Sequence, residues 1–283
     1  MTRALPPSLR RAIARLAGIG RRPAPGLRVL TYHRVNDDHP RDRLSVPTRT
    51  FAAQMQALAG SRRPVVALAD ALPALRGEAA LPPRAVALTF DDGYADNHAE
   101  ALPALERHGF AAAFFVVTGA VGTTTTIDRY AACCGADRML GWDEVRDLVA
   151  RGHAIGGHGR RHRELAALAA DEVRDEVEGS RRDIEDRLGE APRLFCYPRG
   201  SVDAEVRRIV AAAGYEAACT VRPGANAPGT DLLALRRTEI AGDDTVEDFL
   251  FKLDGGFDAW HALAQRARAR LRRRGPSRPR GAW

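Results

Sequence analysis

Two short clusters in this 283-residue chain gather side chains able to do hydrolytic chemistry. The first is Thr89-Phe90-Asp91-Asp92-Gly93-Tyr94, two adjacent carboxylates followed by a turn-forming glycine. Adjacent side chains diverge, so one carboxylate is free to bind a cation while its neighbour handles a proton. The competing reading is an Asp-Gly turn closed by an Asx-type hydrogen bond. The second cluster, His158-Gly159-Arg160-Arg161-His162, spaces two imidazoles four residues apart. On one helical turn such residues share a face, which suits a single metal ion. Alone, the pair equally describes solvent-facing or core histidines. Two imidazoles with one carboxylate, however, make the three-ligand, open arrangement of a catalytic Zn²⁺, which lowers the pKa of water and polarises a carbonyl.

The elements that must position these groups alternate along the chain. Strands are expected at Arg28–His33, Val65–Leu68, Ala85–Phe90, Ala112–Val117, His153–Gly157, Leu194–Tyr197, Glu216–Thr220 and Leu233–Ile240. Helices are expected at Thr50–Ala59, Ala99–His108, Trp142–Arg151, Asp171–Leu188 and Ala204–Ala213. In the fourth helix Val173, Val177, Ile184 and Leu188 form one apolar face, with acids and arginines opposite. Such alternation predicts an α/β fold on a mainly parallel sheet, closed or open. Reactive groups then collect at the carboxyl ends of strands, where both clusters fall. Trp142 is expected to start its helix and pack as core, with sugar stacking as the other reading.

Composition bounds the rest. With 45% hydrophobic and 28% charged residues the chain is that of an ordinary globular protein, not a disordered one. The net charge of +7 resides at the ends: residues 1–22 hold six Arg and residues 259–283 eight, with no acid in either, which leaves 23–258 at −7. Both ends read as basic amphipathic segments suited to an anionic membrane surface, against the alternative of solvated, Arg-rich ends. The expected division is 1–26 basic segment, 27–250 catalytic domain and 251–283 Arg-rich tail. The basic ends bring no aromatic platform or recognised motif, so no specific nucleic acid is expected. Four cysteines without a C-x-x-C pair fit a reducing compartment. Arg15 interrupts the one candidate secretory core, and no run is long enough to span a bilayer. The expected location is cytoplasmic, peripheral on the inner membrane face if the basic ends bind it. Cys133 and Cys134 fall in a long unassigned loop.

From about Leu27 to about Phe249 the chain resembles the polysaccharide deacetylases of the NodB-type carbohydrate esterase family. Thr89–Tyr94 resembles its first motif, Gly157–His162 its second, and Phe195-Cys196-Tyr197-Pro198-Arg199-Gly200 its third. The resemblance implies a distorted (β/α) barrel of about seven strands. It further implies Asp91 as general base, Asp92, His158 and His162 as ligands of a divalent metal, most commonly Zn²⁺, and hydrolysis of an acetamide. Water activated by the metal attacks the acetyl carbonyl, and a backbone N–H near Tyr197 helps to hold the oxyanion. Tyr94, Arg193, Tyr197, Pro198 and Arg237 complete the expected substrate side, with packing alone as the other reading of the two tyrosines.

The chain also departs from the commoner members. No His or Trp occurs between Thr220 and Phe249, where their later motifs lie. Cys196 replaces the arginine that contacts the base, leaving Arg193 or Arg237 as substitutes. Leu30-Thr31-Tyr32-His33-Arg34-Val35 resembles instead a subgroup with shifted motif order, including poly-N-acetylglucosamine deacetylases. That makes His33 the candidate general acid, with His261 the competitor and a backbone-bonded histidine the plainer reading. The expected function is metal-dependent de-N-acetylation of an N-acetylhexosamine-containing glycan or lipid-linked sugar in envelope or exopolysaccharide synthesis. The alternative is a metal- and carbohydrate-binding or assembly protein that has lost activity along with the late motifs.

Overall fold

The structure, a computed structural model, describes residues 25–40, 42–125, 127 and 136–258. The basic ends, Cys133, Cys134 and His261 lie outside the described residues.

Seven strands form one sheet: β1 Arg28–Tyr32, β2 Val86–Phe90, β3 Ala112–Val116, β4 Ala154–Gly157, β5 Leu194–Cys196, β6 Ala217–Cys219 and β7 Thr238–Glu239. Their order is β6-β5-β4-β3-β2-β1-β7, and every pairing is parallel. Leu235, just before β7, makes a parallel bridge to Cys219 on β6, while Thr238 pairs with Leu30 on β1. One short segment thus touches both edges and curls the sheet towards a barrel, the fold class read from the sequence. Parallel strands covered on both faces need continuous apolar runs, and β1, β2 and β3 are buried at every residue.

Alternate residues divide between two cores. Leu30, Tyr32, Leu88, Phe90 and Phe114 face outward into a cluster closed by α1 Thr48–Gly60, α2 Leu72–Arg76 being absent from it. Its centre is an aromatic chain, with Phe51 edge-on to Tyr32 at 5.1 Å and Phe90 stacked on Phe114 at 4.8 Å. Val29, Ala87, Ala113, Phe115, Cys196 and Cys219 face the other way, with α2 packed against them. After α3 Leu102–Glu106 and α4 Trp142–Ala150, the long helix α5 Ala170–Leu188 buries Val173, Val177 and Ile184 at the expected spacing. It stops at Gly189, whose φ of 76° ends the helix in the left-handed region. α6 Ala204–Ala212 begins on the Asp203 carboxylate, which accepts the Val206 N–H.

Four expectations change. Of the strand expected at Leu233–Ile240 only Thr238–Glu239 forms, and a 3₁₀ turn, Leu232–Ala234, overlaps its start. Val65–Leu68 is no strand: Pro64 has no N–H to give, and Val65 makes a single bridge to Val86. The Ala99–His108 helix opens with a π-helical turn, Asn97–Ala101, before α3. Residues 251–258, assigned to the tail, belong to the domain, because α7 Val246–Leu253 buries Phe249 and Leu253 and Arg28 pairs with Asp258 at 2.9 Å. Among the described residues no helix is long and apolar enough to cross a membrane.

Candidate active site

Strand register decides which side chains meet. Tyr32 pairs with Phe90, so His33 and Asp91 leave the ends of β1 and β2 side by side. Val116 pairs with Gly157 and Gly157 with Phe195, which sets His158 beside Cys196. Asp91 continues the inward alternation of Ala87 and Thr89; Asp92, at φ 74°, turns the other way. His162 and Arg199 share this left-handed conformation, both at φ 55°. One uncommon backbone conformation thus sits in each of the three motifs, a strain of order 1–3 kcal/mol apiece that packing must hold.

The resulting constellation is compact. Nε2 of His158 and Nε2 of His162 each lie 3.3 Å from Asp92 Oδ1. His158 Nδ1 is 2.7 Å from the Cys196 carbonyl and donates its proton there, which turns Nε2 towards Asp92, the atom a cation would take. The two imidazoles are not on a helical turn, as their spacing suggested. They flank a loop, because Gly159 at φ 74° and His162 at φ 55° break any helix. Asp92 Oδ1 is buried without a hydrogen-bond donor. An orphaned carboxylate oxygen between two imidazole nitrogens fits a divalent cation, whose N/O donor set this is. Burial alone would raise the Asp92 carboxyl, but imidazolium charge beside it would hold it well below the usual range, and Cys196, Asp92 and Asp91 in turn raise the His158 imidazole against its burial. Burial holds the His162 imidazole down, to about 4, the neutral form a cation needs.

Asp91 has a different partner. Arg237 donates Nη1–H to Oδ1 and Nη2–H to Oδ2, both at 2.7 Å, and its Nε–H goes to the Thr220 carbonyl at 3.0 Å. Against the rise that burial would cause, this guanidinium holds the Asp91 carboxyl below its ordinary value. Cys196 Sγ lies 3.0 Å from Arg237 Nη2 and 3.5 Å from Asp91 Oδ2. The small sulfur therefore leaves room for an arginine arriving from another strand. His33 Nε2 stands 4.0 Å from Asp91 Oδ2, and its Nδ1 is buried without a partner.

Other expected residues lie elsewhere. Arg193 precedes β5, at the opposite end of a parallel strand from the site, and pairs with Glu216. Arg237 is 3% exposed and faces Asp91, not a groove. Tyr197 is fully buried, its hydroxyl donating to the Leu233 carbonyl at 3.0 Å and its N–H to the Cys219 carbonyl at 3.1 Å. That N–H is not open to an oxyanion. Tyr94 is buried too, with the Arg34 guanidinium 4.2 Å above its ring, and Pro198 is buried in a 3₁₀ turn. Trp142 starts α4 as expected and packs against the outer core, with Arg187 at 5.7 Å from its ring. The sequence reading missed Glu176. It counted among the solvent-facing acids of α5 but is fully buried behind the histidine loop.

The polysaccharide deacetylase family profile matches residues 78–218. Over 215 residues the chain is 24% identical to YxkH of Bacillus subtilis (strain 168), a match covering 76% of this chain and 71% of that one. IcaB from Ammonifex degensii superposes with a TM-score of 0.70 at 24% identity, covering 83% of this chain and 98% of that one. The Streptococcus pyogenes deacetylase PplD, solved with acetate, gives a TM-score of 0.69 at 21% identity over 82% and 99% of the two chains. These likenesses show the fold, and the profile spans the first two motifs and the third. The chain carries a NodB-type polysaccharide deacetylase domain and belongs to that family of hydrolases.

Proposed function

We propose that the protein removes acetyl groups, with a divalent metal, from an N-acetylhexosamine-containing glycan or lipid-linked sugar during envelope or exopolysaccharide synthesis. One observation carries the metal dependence: Asp92, His158 and His162 converge around a buried carboxylate oxygen that no protein donor reaches. A divalent cation there, Zn²⁺ by its donor set, supplies a water of lowered pKa and polarises the acetyl carbonyl. The chain's own groups divide the proton traffic. Asp91 accepts the proton of the attacking water on a lone pair that Arg237 leaves free, each carboxylate oxygen having two. Arg237 keeps that carboxylate ionised and aimed. His33, at the end of the neighbouring strand, donates a proton to the departing amine. Its position supports the likeness to poly-N-acetylglucosamine deacetylases.

The test is acetate release from N-acetylglucosamine oligomers by the zinc-loaded protein and after chelation. Zinc-dependent release is expected. No release from any N-acetylated glycan by metal-loaded protein would favour a carbohydrate-binding protein that has lost activity. The Arg-rich ends motivate a further part of the proposal, a site of action at the cytoplasmic membrane face. Anionic lipid vesicles should then retain the full chain at low salt and lose it as salt rises. Absence of binding at low salt counts against that location.

A further inference from the structure

The loop joining the two imidazoles is gripped from behind by one buried carboxylate. Glu176 on α5 is fully buried; its Oε2 accepts the N–H groups of Arg160 and Arg161, both at 2.9 Å, and its Oε1 accepts Arg161 Nε–H at 2.6 Å. A Cβ on Gly159 would come within 2.9 Å of the same Oε2, so the close approach needs a glycine there. One turn further along α5, Gly179 leaves the space in which the Arg160 stem lies: a Cβ would meet Arg160 Cδ at 2.5 Å. The Arg160 guanidinium continues across the helix to Asp175 and Asp183, at 3.0 to 3.1 Å. From the opposite side, Thr118 and Gly119 donate their N–H groups to the Gly159 and Arg160 carbonyls, at 3.2 and 2.9 Å.

Residues 159–161 are thereby fixed through their backbone on two sides, and the residues flanking them are His158 and His162. A carboxylate taken wholly out of water is costly unless its lone pairs are filled, and an apolar side chain would pack this position of α5 more cheaply. What the apolar side chain lacks is an acceptor for two consecutive loop N–H groups. We infer that Glu176 is a positioning residue for the cation site. Its grip on the loop sets the distance between the two imidazoles and maintains His162 in its left-handed conformation. This rests on the metal-site reading above.

The full-length protein and two variants, Glu176→Gln and Gly179→Ala, separate positioning from folding. The readouts are Zn²⁺ affinity by competition with a chromogenic chelator, kcat and KM taken separately, and thermal unfolding. Glu176→Gln keeps the shape but cannot accept on both ends of the group. Its Zn²⁺ affinity should fall about 10- to 100-fold, the usual effect of losing an outer-shell partner, with kcat recovering when Zn²⁺ is in large excess. Gly179→Ala favours the helix, so its unfolding temperature should hold while its Zn²⁺ affinity drops several-fold as the Arg160 stem is displaced. Folded variants that bind Zn²⁺ as tightly as the wild type overturn the inference. Should Glu176→Gln fail to fold, the Gly179→Ala affinity decides alone. A wild-type chain with no affinity for Zn²⁺ overturns the metal-site reading itself, a result distinct from equal affinities.

Discussion

Arg237 meets Asp91 through two parallel hydrogen bonds of 2.7 Å, one from each terminal nitrogen to each carboxylate oxygen, with both side chains under 5% exposed. This is the geometry of a bidentate, charge-assisted pair. It explains how a buried carboxylate stays ionised beside a histidine and a candidate cation site.

The pair makes the pH profile testable. Asp91 is held below its ordinary value, so its share of stability is complete above the unfolded-state value near 3.9 and is lost as pH falls through the folded one. In Arg237→Met the burial that Arg237 now offsets should raise the carboxyl. The acidic limb of kcat/KM then moves to higher pH, and neutral-pH stability drops by about 3–5 kcal/mol, the cost of leaving one partner of a buried pair alone. An unmoved acidic limb in the folded variant would remove Asp91 from the base role.

His33 gives a different signature. Its Nε2 stands 4.0 Å from Asp91 Oδ2, beside the base, and it is not one of the three proposed cation ligands. His33→Gln should lower kcat by about 10²–10⁴-fold while Zn²⁺ affinity stays within a few-fold of wild type. Unchanged turnover would return this residue to a packing role.

Asp96 carries a pH effect of opposite sign. Burial raises its carboxyl to about 6, against hydrogen bonds from the Asn36 side chain and the Val35 backbone and the charge of Arg34. A raised folded value means that its favourable contribution is full below the ordinary 3.8 and is lost as pH climbs through 6. Denaturant unfolding between pH 4 and 7 should show a loss of up to about 3 kcal/mol from this group. Asp96→Asn should flatten that slope, and an identical slope in the variant contradicts the assignment.

Gly157 tests the packing behind the second motif. A Cβ there would lie 2.3 Å from the Tyr215 hydroxyl and 3.2 Å from Phe195 and Ser180. Gly157→Ala should cost about 1–3 kcal/mol, and Tyr215→Phe added to it should recover part of that. Strict additivity of the two changes would mean that the clash is absorbed elsewhere.

Much of this was legible in the residues themselves. Continuous apolar runs marked six of the seven strands, and the polar clusters following them marked the catalytic face. The helical face of Val173, Val177 and Ile184 was plain from its period. Other features depend on distance through space. Arg193 and Arg237 each precede a parallel strand, and only the direction of the side chain separates them: Arg193 turns out to Glu216 and Arg237 turns in to Asp91, which no local pattern encodes. Glu176 looks like any acid on a solvated helix until the loop at Arg160 and Arg161 closes over it. Tyr94 and Tyr197, polar-tipped and beside the motifs, read equally as sugar contacts or as packing, and their rings fill core space. The histidine spacing suggested a helix, where Gly159 and His162 instead make a loop that brings the same two rings within 4.9 Å.

The most direct test is a crystal structure of the zinc-loaded protein with anomalous scattering recorded at the zinc edge. A single strong peak bonded to Asp92 Oδ1, His158 Nε2 and His162 Nε2, with Asp91 still held by Arg237 alongside, is the expected result. No peak among those three atoms in protein shown to contain zinc, or a peak only at another set of ligands, would contradict it.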